Sequence, residues 1–192
     1  YPFSFRDFCL SRNLETDVPT TKNVAALKNA LDQFLLEGGF PEMLALHNKR
    51  AYVGSLIEAV ITKDIMPRFH VRNANGLKNL VDVLKIGSDK TTRNYIDYLT
   101  QAFLIVPLTK FSYKSSERLR NSKMYVVDTG MLTYRPEALS SESLGWRLEN
   151  AVYLELLRRN LPLHRDIYYY RPTARAKEVD FVVAERGNAI EL

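Results

Sequence analysis

Three carboxylates lie at positions where the residue pattern would allow them to bind a metal ion or take part in catalysis. Glu149 lies in a helix-forming stretch, whereas Asp180 and Glu191 each interrupt an apolar, strand-like run. A carboxylate inside an apolar strand is costly to desolvate unless it is paired, exposed or bound to a cation. A helical Glu beside two strands can surround one Mg²⁺, which would polarise a phosphodiester and lower the pKa of a water. The pattern therefore allows a catalytic set of Glu149, Asp180 and Glu191, with Asp180 and Glu191 as metal ligands.

The same carboxylates have a purely structural interpretation. Asp180 and Glu191 can point to solvent from half-buried strands or pair with nearby cations. The candidate cations are Arg171, Arg175 and Lys177. The histidines share no motif, and the chain contains no Gly-rich run followed by Lys-Ser/Thr. We therefore expect no nucleotide to bind to this chain through a phosphate-binding loop.

A basic stretch, residues 110–123, forms a second candidate site. It carries five cations against one acid, Glu117, and such a loop can neutralise phosphates. A helix capped by Ser88 or Asp89 precedes it. Helix, turn, capped helix, strand, basic loop and strand is the order of a winged helix. The predicted nucleic-acid contacts are Lys90, Arg93, Asn94, Lys110, Lys114, Arg118 and Arg120. A solvated helix face and hairpin, or a surface for protein contacts, remain the alternatives.

Hydropathy patterning predicts the elements that position these residues. Helices are expected over Thr21–Glu37, 48–63, 74–85, a segment starting at 88 or 89, and 148–160. Strands are expected over 103–108, 124–127, 167–171, 178–184 and 189–192, with a turn at 186–188. Gly38-Gly39 and Pro67 mark helix ends. The pattern indicates an α/β chain of the α+β type.

Two details of this pattern are specific enough to test. The inward faces of the first and last helices are expected to carry Val24, Leu27, Leu31, Phe34 and Leu35, and Leu148, Val152, Leu156 and Leu157. A complete winged helix has another helix between the 74–85 helix and the helix that follows it. Only Ile86 and Gly87 separate the two, so either the module is abbreviated or residues are omitted there.

Composition narrows the class of protein. The 192 residues are 46% hydrophobic, enough for one good core or two small ones. The net charge of +5 favours anionic partners, and a single cysteine favours a reducing cytoplasm. No apolar run reaches the roughly 18 residues that span a bilayer, so no membrane association is expected. The chain begins without Met and stops inside a strand-like run, which predicts missing sequence on both sides.

Several strings resemble, in order, one large bacterial and archaeal family of ATP-binding proteins. In that family an AAA domain precedes a C-terminal domain of unknown function. The matching strings are residues 1–8, 38–42, 62–65, 95–99, 123–132, 145–150, 169–171 and 178–182. Together they cover nearly the whole chain, and the ordered set is far more specific than any one string.

The resemblance implies a domain organisation. Residues 1–21 would leave a missing ATPase domain, 22–70 would form a helical linker, 71–135 a winged-helix-like region, and 136–192 a truncated nuclease-like core. That core is similar to the PD-(D/E)XK nuclease fold, where a helical Glu, a strand Asp and a strand Glu-x-Lys surround a metal. Glu149, Asp180 and Glu191 match these positions, and the Lys would follow Leu192.

These observations lead to one expected function and two alternatives. We expect a nucleic-acid-associated regulatory region of a prokaryotic AAA ATPase, which contacts double-stranded DNA or its own ATPase domain in the cytoplasm. No cofactor is expected in this fragment: ATP would bind the missing domain, with Mg²⁺ the ion for the nuclease-like core. The alternatives are a metal-dependent nuclease, inactive here without its Lys, and a protein-interaction module that uses Tyr168, Tyr169 and Tyr170.

Overall fold

The computed structural model describes most of the chain. The described residues are 2–16, 20–72, 75–77, 90–112, 122–133, 144–160, 163, 165–173, 176–185 and 188–190. Their helices are α1 Phe5–Leu10, α2 Thr21–Glu37, α3 Pro41–Ala45, α4 Lys49–Ala59, α5 Met66–Phe69, α6 Lys90–Gln101, α7 Gly130–Thr133 and α8 Leu144–Asn160. Their strands are β1 Ile105–Thr109, β2 Ser122–Val126, β3 Arg165–Tyr170, β4 Val179–Glu185 and β5 Asn188–Ile190. Helices and two small antiparallel sheets give the expected α+β fold.

Helix α2 has the predicted bounds. The Thr20 side chain accepts a hydrogen bond from the backbone N–H of Asn23, and Gly38 ends the helix at a φ of 81°. The predicted inward face is only partly correct, because Phe34 and Leu35 are buried whereas Val24 is 53% exposed. The buried residues of α2 all lie in its C-terminal half, so its first turns project past the core.

The second predicted helix runs further than expected. Helix α4 continues through a π-helical turn, Val60–Ile65, into α5, and Pro67 lies inside α5 rather than ending the helix. The i→i−5 bonding of the π turn, in which the Met66 N–H donates to the Ile61 carbonyl, interrupts the α-helical pattern directly before Pro67 and so lowers the cost of its missing N–H. Among the core residues of this continuous helix are Val53, Ile61 and Ile65.

Helix α6 ends in an unusual way. The backbone N–H groups of Phe103 and Leu104 donate to the carbonyls of Thr100 and Leu99, at 3.0 and 2.9 Å. This bonding pattern requires a left-handed residue, usually glycine, and Phe103 fills the position at a φ of 54°. A side chain in that conformation costs about 1 kcal/mol relative to glycine. The Phe103 ring is nevertheless 66% exposed.

The β1–β2 hairpin joins the C-terminal sheet. Strand β1 pairs with β2 from Ile105↔Val126 to Thr109↔Ser122. Lys110 then forms a parallel bridge to Tyr169 on β3, and the Phe111 N–H donates to the Tyr169 carbonyl at 2.7 Å. One core cluster contains Leu108, Tyr125, Tyr153 and Tyr169. The hairpin and the three-stranded sheet β3-β4-β5 therefore pack on α8 through a shared core.

The predicted inward face of α8 is wrong at Leu148 and Val152, which are 44% and 40% exposed. The buried side chains of α8 include polar ones. Asn150 bonds both the N–H and the carbonyl of Val126 at 2.9 Å, and so replaces a missing strand partner at β2. Hydropathy cannot anticipate a polar side chain that is buried to satisfy a neighbouring backbone.

Other predictions fall partly outside the described residues. Only residues 75–77 of the predicted 74–85 helix are described, and the Ser88 or Asp89 cap and the segment at Ile86 lie outside them. Strands β3, β4 and β5 lie within two residues of their predicted bounds. Helices α1, α3 and α7 are short and were not predicted. In the described part of the chain, no helix is long and apolar enough to cross a bilayer.

Candidate functional site

The Lys123 cluster consists of one ammonium and three carboxylates. Lys123 Nζ lies 2.6 Å from Glu178 Oε1, 2.8 Å from Glu149 Oε1 and 3.2 Å from Asp180 Oδ1. The side chains of Lys123, Glu149 and Glu178 are about a quarter exposed, and that of Asp180 is 56% exposed. The cluster is therefore half-buried, with Asp180 on its solvent side.

Three elements bring the cluster together. Lys123 lies on β2, Glu149 on α8, Asp180 on β4, and Glu178 directly before β4. Tyr125, two residues along β2, points to the same face as Lys123, and its hydroxyl donates to Glu149 Oε1 at 2.5 Å. Glu149 thus receives hydrogen bonds from two side chains of one strand, which fixes its carboxylate.

Both donors keep their protons at neutral pH. Burial acts to lower the pKa of Lys123, but its hydrogen bonds to Glu149 and Glu178 outweigh burial and hold that pKa above the ordinary value. Burial, reinforced by the bond to Glu149, raises the pKa of Tyr125. The Lys123 ammonium also lies 5.5 Å from the centre of the Tyr169 ring. The Lys123 side chain therefore stays positively charged.

The described residues of this cluster fit an ammonium better than a metal ion. Lys123 Nζ occupies the point that the three carboxylates share. Among the residues that the structure describes, no group of three or more His, Cys, Asp and Glu side chains could hold a metal. Glu191, the third predicted ligand, lies outside the described residues. The catalytic and metal roles of Glu149, Asp180 and Glu191 stay predictions.

Sequence reasoning missed two members of the cluster, Lys123 and Glu178, and the donor Tyr125 beside it. Lys123 was counted with the basic stretch, whereas Tyr125 and Glu178 were given no polar role. Two signals could have found them: Lys123 and Tyr125 alternate along one strand, and Glu178 precedes Asp180 by two residues. Nothing in the sequence indicates that β2 would lie beside α8 and β4.

The predicted nucleic-acid contacts are only partly described. Arg93 and Asn94 are exposed on α6, and Lys110 is half-buried at the end of β1. Lys90 begins α6, but its side chain is outside the description. Three of the predicted contacts lie outside the described residues: Lys114, Arg118 and Arg120. The DNA-binding role of the whole set stays a prediction.

A second acidic centre, the Asp128 latch, was not predicted. The Asp128 carboxylate is 2% exposed and accepts hydrogen bonds from the N–H groups of Gly39 and Gly130, at 2.6 and 2.8 Å. Burial raises its pKa to about 6, and the two backbone bonds oppose the rise. The latch connects the α2–α3 turn to the segment after β2.

The backbone segments around this latch pack very close together. A Cβ added to Gly38 would lie 1.9 Å from Asp128 Oδ1, and one added to Gly130 would lie 2.3 Å from the Glu37 carbonyl oxygen. The buried Arg147 guanidinium donates to the carbonyls of Leu35 and Thr129, both at 3.3 Å. Glycines and buried polar side chains thus hold α2 against the α7 region.

Two family models match adjacent segments in the C-terminal part of the chain. Residues 84–142 match the family model "Domain of unknown function (DUF8612)". Residues 144–192 match "Domain of unknown function (DUF4143)". An uncharacterized protein of Methanocaldococcus jannaschii is 30% identical over 95% of the chain and 46% of its own length. An uncharacterized protein of Haemophilus influenzae is 26% identical over 95% of the chain and 48% of its own length.

These matches confirm the coarser part of the predicted resemblance. The C-terminal residues match a domain of unknown function, and the relatives are archaeal and bacterial. The chain spans just under half the length of these relatives. No solved structure matches it significantly. The AAA, winged-helix and nuclease parts of the resemblance stay predictions.

Proposed function

We propose that this chain is a nucleic-acid-associated regulatory region of an AAA-type ATPase, in which a nuclease-like core serves binding rather than cleavage. The observation that carries the proposal is the Lys123 ammonium at the centre of Glu149, Glu178 and Asp180. The ammonium occupies the point next to Glu149 and Asp180 where cleavage would require a metal ion. The core can then keep its fold and its binding surface without catalysing cleavage.

The DNA contact is supported by the region around α6. Arg93 and Asn94 are exposed on this helix, which is followed by the antiparallel pair β1–β2. The connection between the two strands contains Lys114, Arg118 and Arg120. An exposed polar helix face and a basic stretch close to it in sequence can neutralise phosphates and position a duplex. The net charge of +5 favours the same anionic partner.

The ATPase part rests on the comparisons. DUF4143 domains are often found in AAA-ATPase-associated proteins. The two relatives are about twice as long as the region that this chain matches. In the proposal, ATP hydrolysis belongs to another part of the longer protein, and this region links that activity to DNA.

A charge-reversal experiment tests the DNA contact. Fluorescence anisotropy with a duplex of about 30 base pairs would be measured from about 50 to 200 mM salt, because phosphate contacts make affinity fall steeply with salt. We expect Arg93→Glu/Lys114→Glu to weaken binding at least about tenfold. The control is Lys22→Glu/Lys28→Glu, which changes the net charge equally at exposed positions of α2. Equal losses in both variants, or no binding by the parent chain at low salt, would refute the proposed contact.

A metal-dependent nuclease is the second candidate, and one observation favours it. Glu149 and Asp180, predicted as catalytic residues, do contact the same group although they are distant in sequence. The test is nicking of supercoiled plasmid by the full-length protein with Mg²⁺ or Mn²⁺. Cleavage that disappears in Asp180→Ala would favour the nuclease. Cleavage that persists in that variant would show that the assigned site is wrong.

A further inference from the structure

Residues 2–4 form a short strap that contacts the α2–α3 turn. The Phe3 N–H donates to the Gly39 carbonyl at 2.7 Å. A Cβ added to Gly39 would lie 2.5 Å from the Phe3 carbonyl oxygen. Only glycine allows two backbone segments to approach this closely, so the strap is seated on the same turn that the Asp128 latch holds.

One peptide group serves both the strap and the latch. Its carbonyl is that of Gly39, which accepts the Phe3 N–H, and its N–H is that of Phe40. The Phe40 N–H acts to lower the pKa of Asp128, and the Gly39 N–H donates to the Asp128 carboxylate at 2.6 Å. Because a peptide group is planar and rigid, a movement at its carbonyl end also moves its N–H end.

Arg158 links the same two features from α8. Its guanidinium donates to the carbonyls of Pro2 and Phe3, at 3.2 and 3.4 Å. Its positive charge also acts to lower the pKa of Asp128, so it favours the ionised carboxylate that the latch uses. The strap is therefore connected to the latch twice, once through the backbone and once through Arg158.

Side-chain packing contributes less to the attachment of the strap. Pro2 and Phe3 line an apolar cavity of about 560 Å³, and Pro2 also lines one of about 380 Å³. A side chain beside such a space lacks some of the close contacts that stabilise a packed core. The strap depends mainly on its polar bonds, and a segment of this kind opens at a lower free energy than the core does.

We propose that the strap and the Asp128 latch form one conformational unit, in which release of the strap loosens the latch and loosening of the latch releases the strap. Coupling between two sites acts equally in both directions. The latch ties the α2–α3 turn to the start of α7, so the strap controls how firmly these segments are joined. In the proposed function, where residues 1–21 lead from an ATPase domain, the unit is a path by which that domain acts on this region. The unit itself does not depend on that function.

Amide hydrogen exchange of the 192-residue chain, followed residue by residue by NMR, tests the coupling. Phe3→Pro removes the N–H that bonds the Gly39 carbonyl, whereas the control Phe3→Ala removes the ring and keeps that N–H. We expect Phe3→Pro to accelerate exchange at the Gly39 and Gly130 N–H groups at least about tenfold, and Phe3→Ala to have a much smaller effect. Unchanged exchange at both glycines in Phe3→Pro, or equal acceleration by the two variants, would overturn the inference.

A change in the latch tests the reverse direction. The latch uses both Asp128 oxygens, and the carboxamide of Asp128→Asn offers a single acceptor in their place. We expect this variant to accelerate exchange at the Phe3 N–H at least about tenfold. The Phe111 N–H, bonded to the Tyr169 carbonyl at 2.7 Å, serves as the reference for global unfolding. No acceleration at Phe3, or the same acceleration at Phe111, would contradict a coupled local unit.

Arg158→Met gives an independent variant in case Asp128→Asn does not fold. It removes the link from α8 and should accelerate exchange at both Phe3 and Gly39. The matched control is Arg159→Met, because the Arg159 side chain is 73% exposed and pairs with Glu155 at 2.8 Å. Exchange at Gly39 that matches the parent chain in Arg158→Met, or equal acceleration in Arg159→Met, would show that Arg158 does not connect the strap to the latch and would overturn the proposed unit.

Discussion

The Lys123 cluster and the Asp128 latch solve the same physical problem in different ways. Both hold carboxylates away from full hydration, yet Asp128 is satisfied by backbone N–H groups of Gly39 and Gly130. The carboxylates Glu149, Glu178 and Asp180 instead share a side-chain ammonium. Backbone donors cannot leave without disturbing the fold, whereas a lysine side chain can rotate away.

This difference separates a structural centre from a candidate functional one. The Asp128 carboxylate is 2% exposed and ties α2 to the α7 region, so no ligand can reach it in this structure. The Lys123 cluster opens to solvent at Asp180, which is 56% exposed. Three predictions test the distinction and a fourth concerns the end of α6; they run from the largest expected effect to the smallest.

Gly38→Ala should break the latch. Its Cβ would lie 1.9 Å from Asp128 Oδ1, in a backbone conformation with a φ of 81°. Strain and steric overlap together should lower the free energy of unfolding by about 4 kcal/mol, measured by urea denaturation. The matched control is Gly54→Ala on α4, where a Cβ meets nothing within 4 Å. That change should stabilise the chain by about 0.5–1 kcal/mol, and equal effects of the two variants would refute the close approach.

Asp128 should make stability depend on pH. Burial raises its pKa to about 6, above the value of about 3.9 in an unfolded chain. The folded state therefore holds this proton more tightly, so the contribution of Asp128 to stability is greatest below about pH 4 and falls by about 3 kcal/mol as the pH rises through 6. The stability difference between the parent chain and Asp128→Asn isolates this term from other carboxylates. A difference that stays constant from pH 4 to pH 7 would contradict the raised pKa.

Lys123→Met should leave three carboxylates without their shared cation. We expect a loss of about 2 kcal/mol, less than for a fully buried pair because the cluster is partly exposed. The control is Lys49→Met, which removes a single ion pair of 2.9 Å with Glu37 and should cost less than about 1 kcal/mol. A double-mutant cycle with Asp180→Asn should recover part of the loss. Strict additivity would mean that Lys123 and Asp180 do not interact.

Phe103→Gly should stabilise the chain. Relief of the left-handed strain is worth about 1 kcal/mol, which raises the melting temperature by about 2–4 °C for a chain of this size. The measurement compares the melting temperatures of the parent chain and the variant under identical conditions. A clear decrease in melting temperature would show that the Phe103 ring stabilises the fold after all.

The sequence located most of the elements and only half of the candidate site. Helix α2 could be predicted to the residue, because its Thr20 cap and Gly38 stop are local signals. The mixed class of the fold followed from alternating helical and strand-like patterns. Lys123 escaped notice because its partners come from α8 and the start of β4, and no local pattern records that proximity.

What the sequence by itself determined are features that depend on neighbouring residues. Helix caps, turn positions and strand runs depend on residues close along the chain, and the basic excess depends on composition alone. Only the tertiary structure decided which polar groups would be buried and with what partners. Asn150 pairs with the backbone of β2, Asp128 with two glycine N–H groups, and Lys123 with three carboxylates, because packing brings distant segments together and each buried polar group must then find a partner.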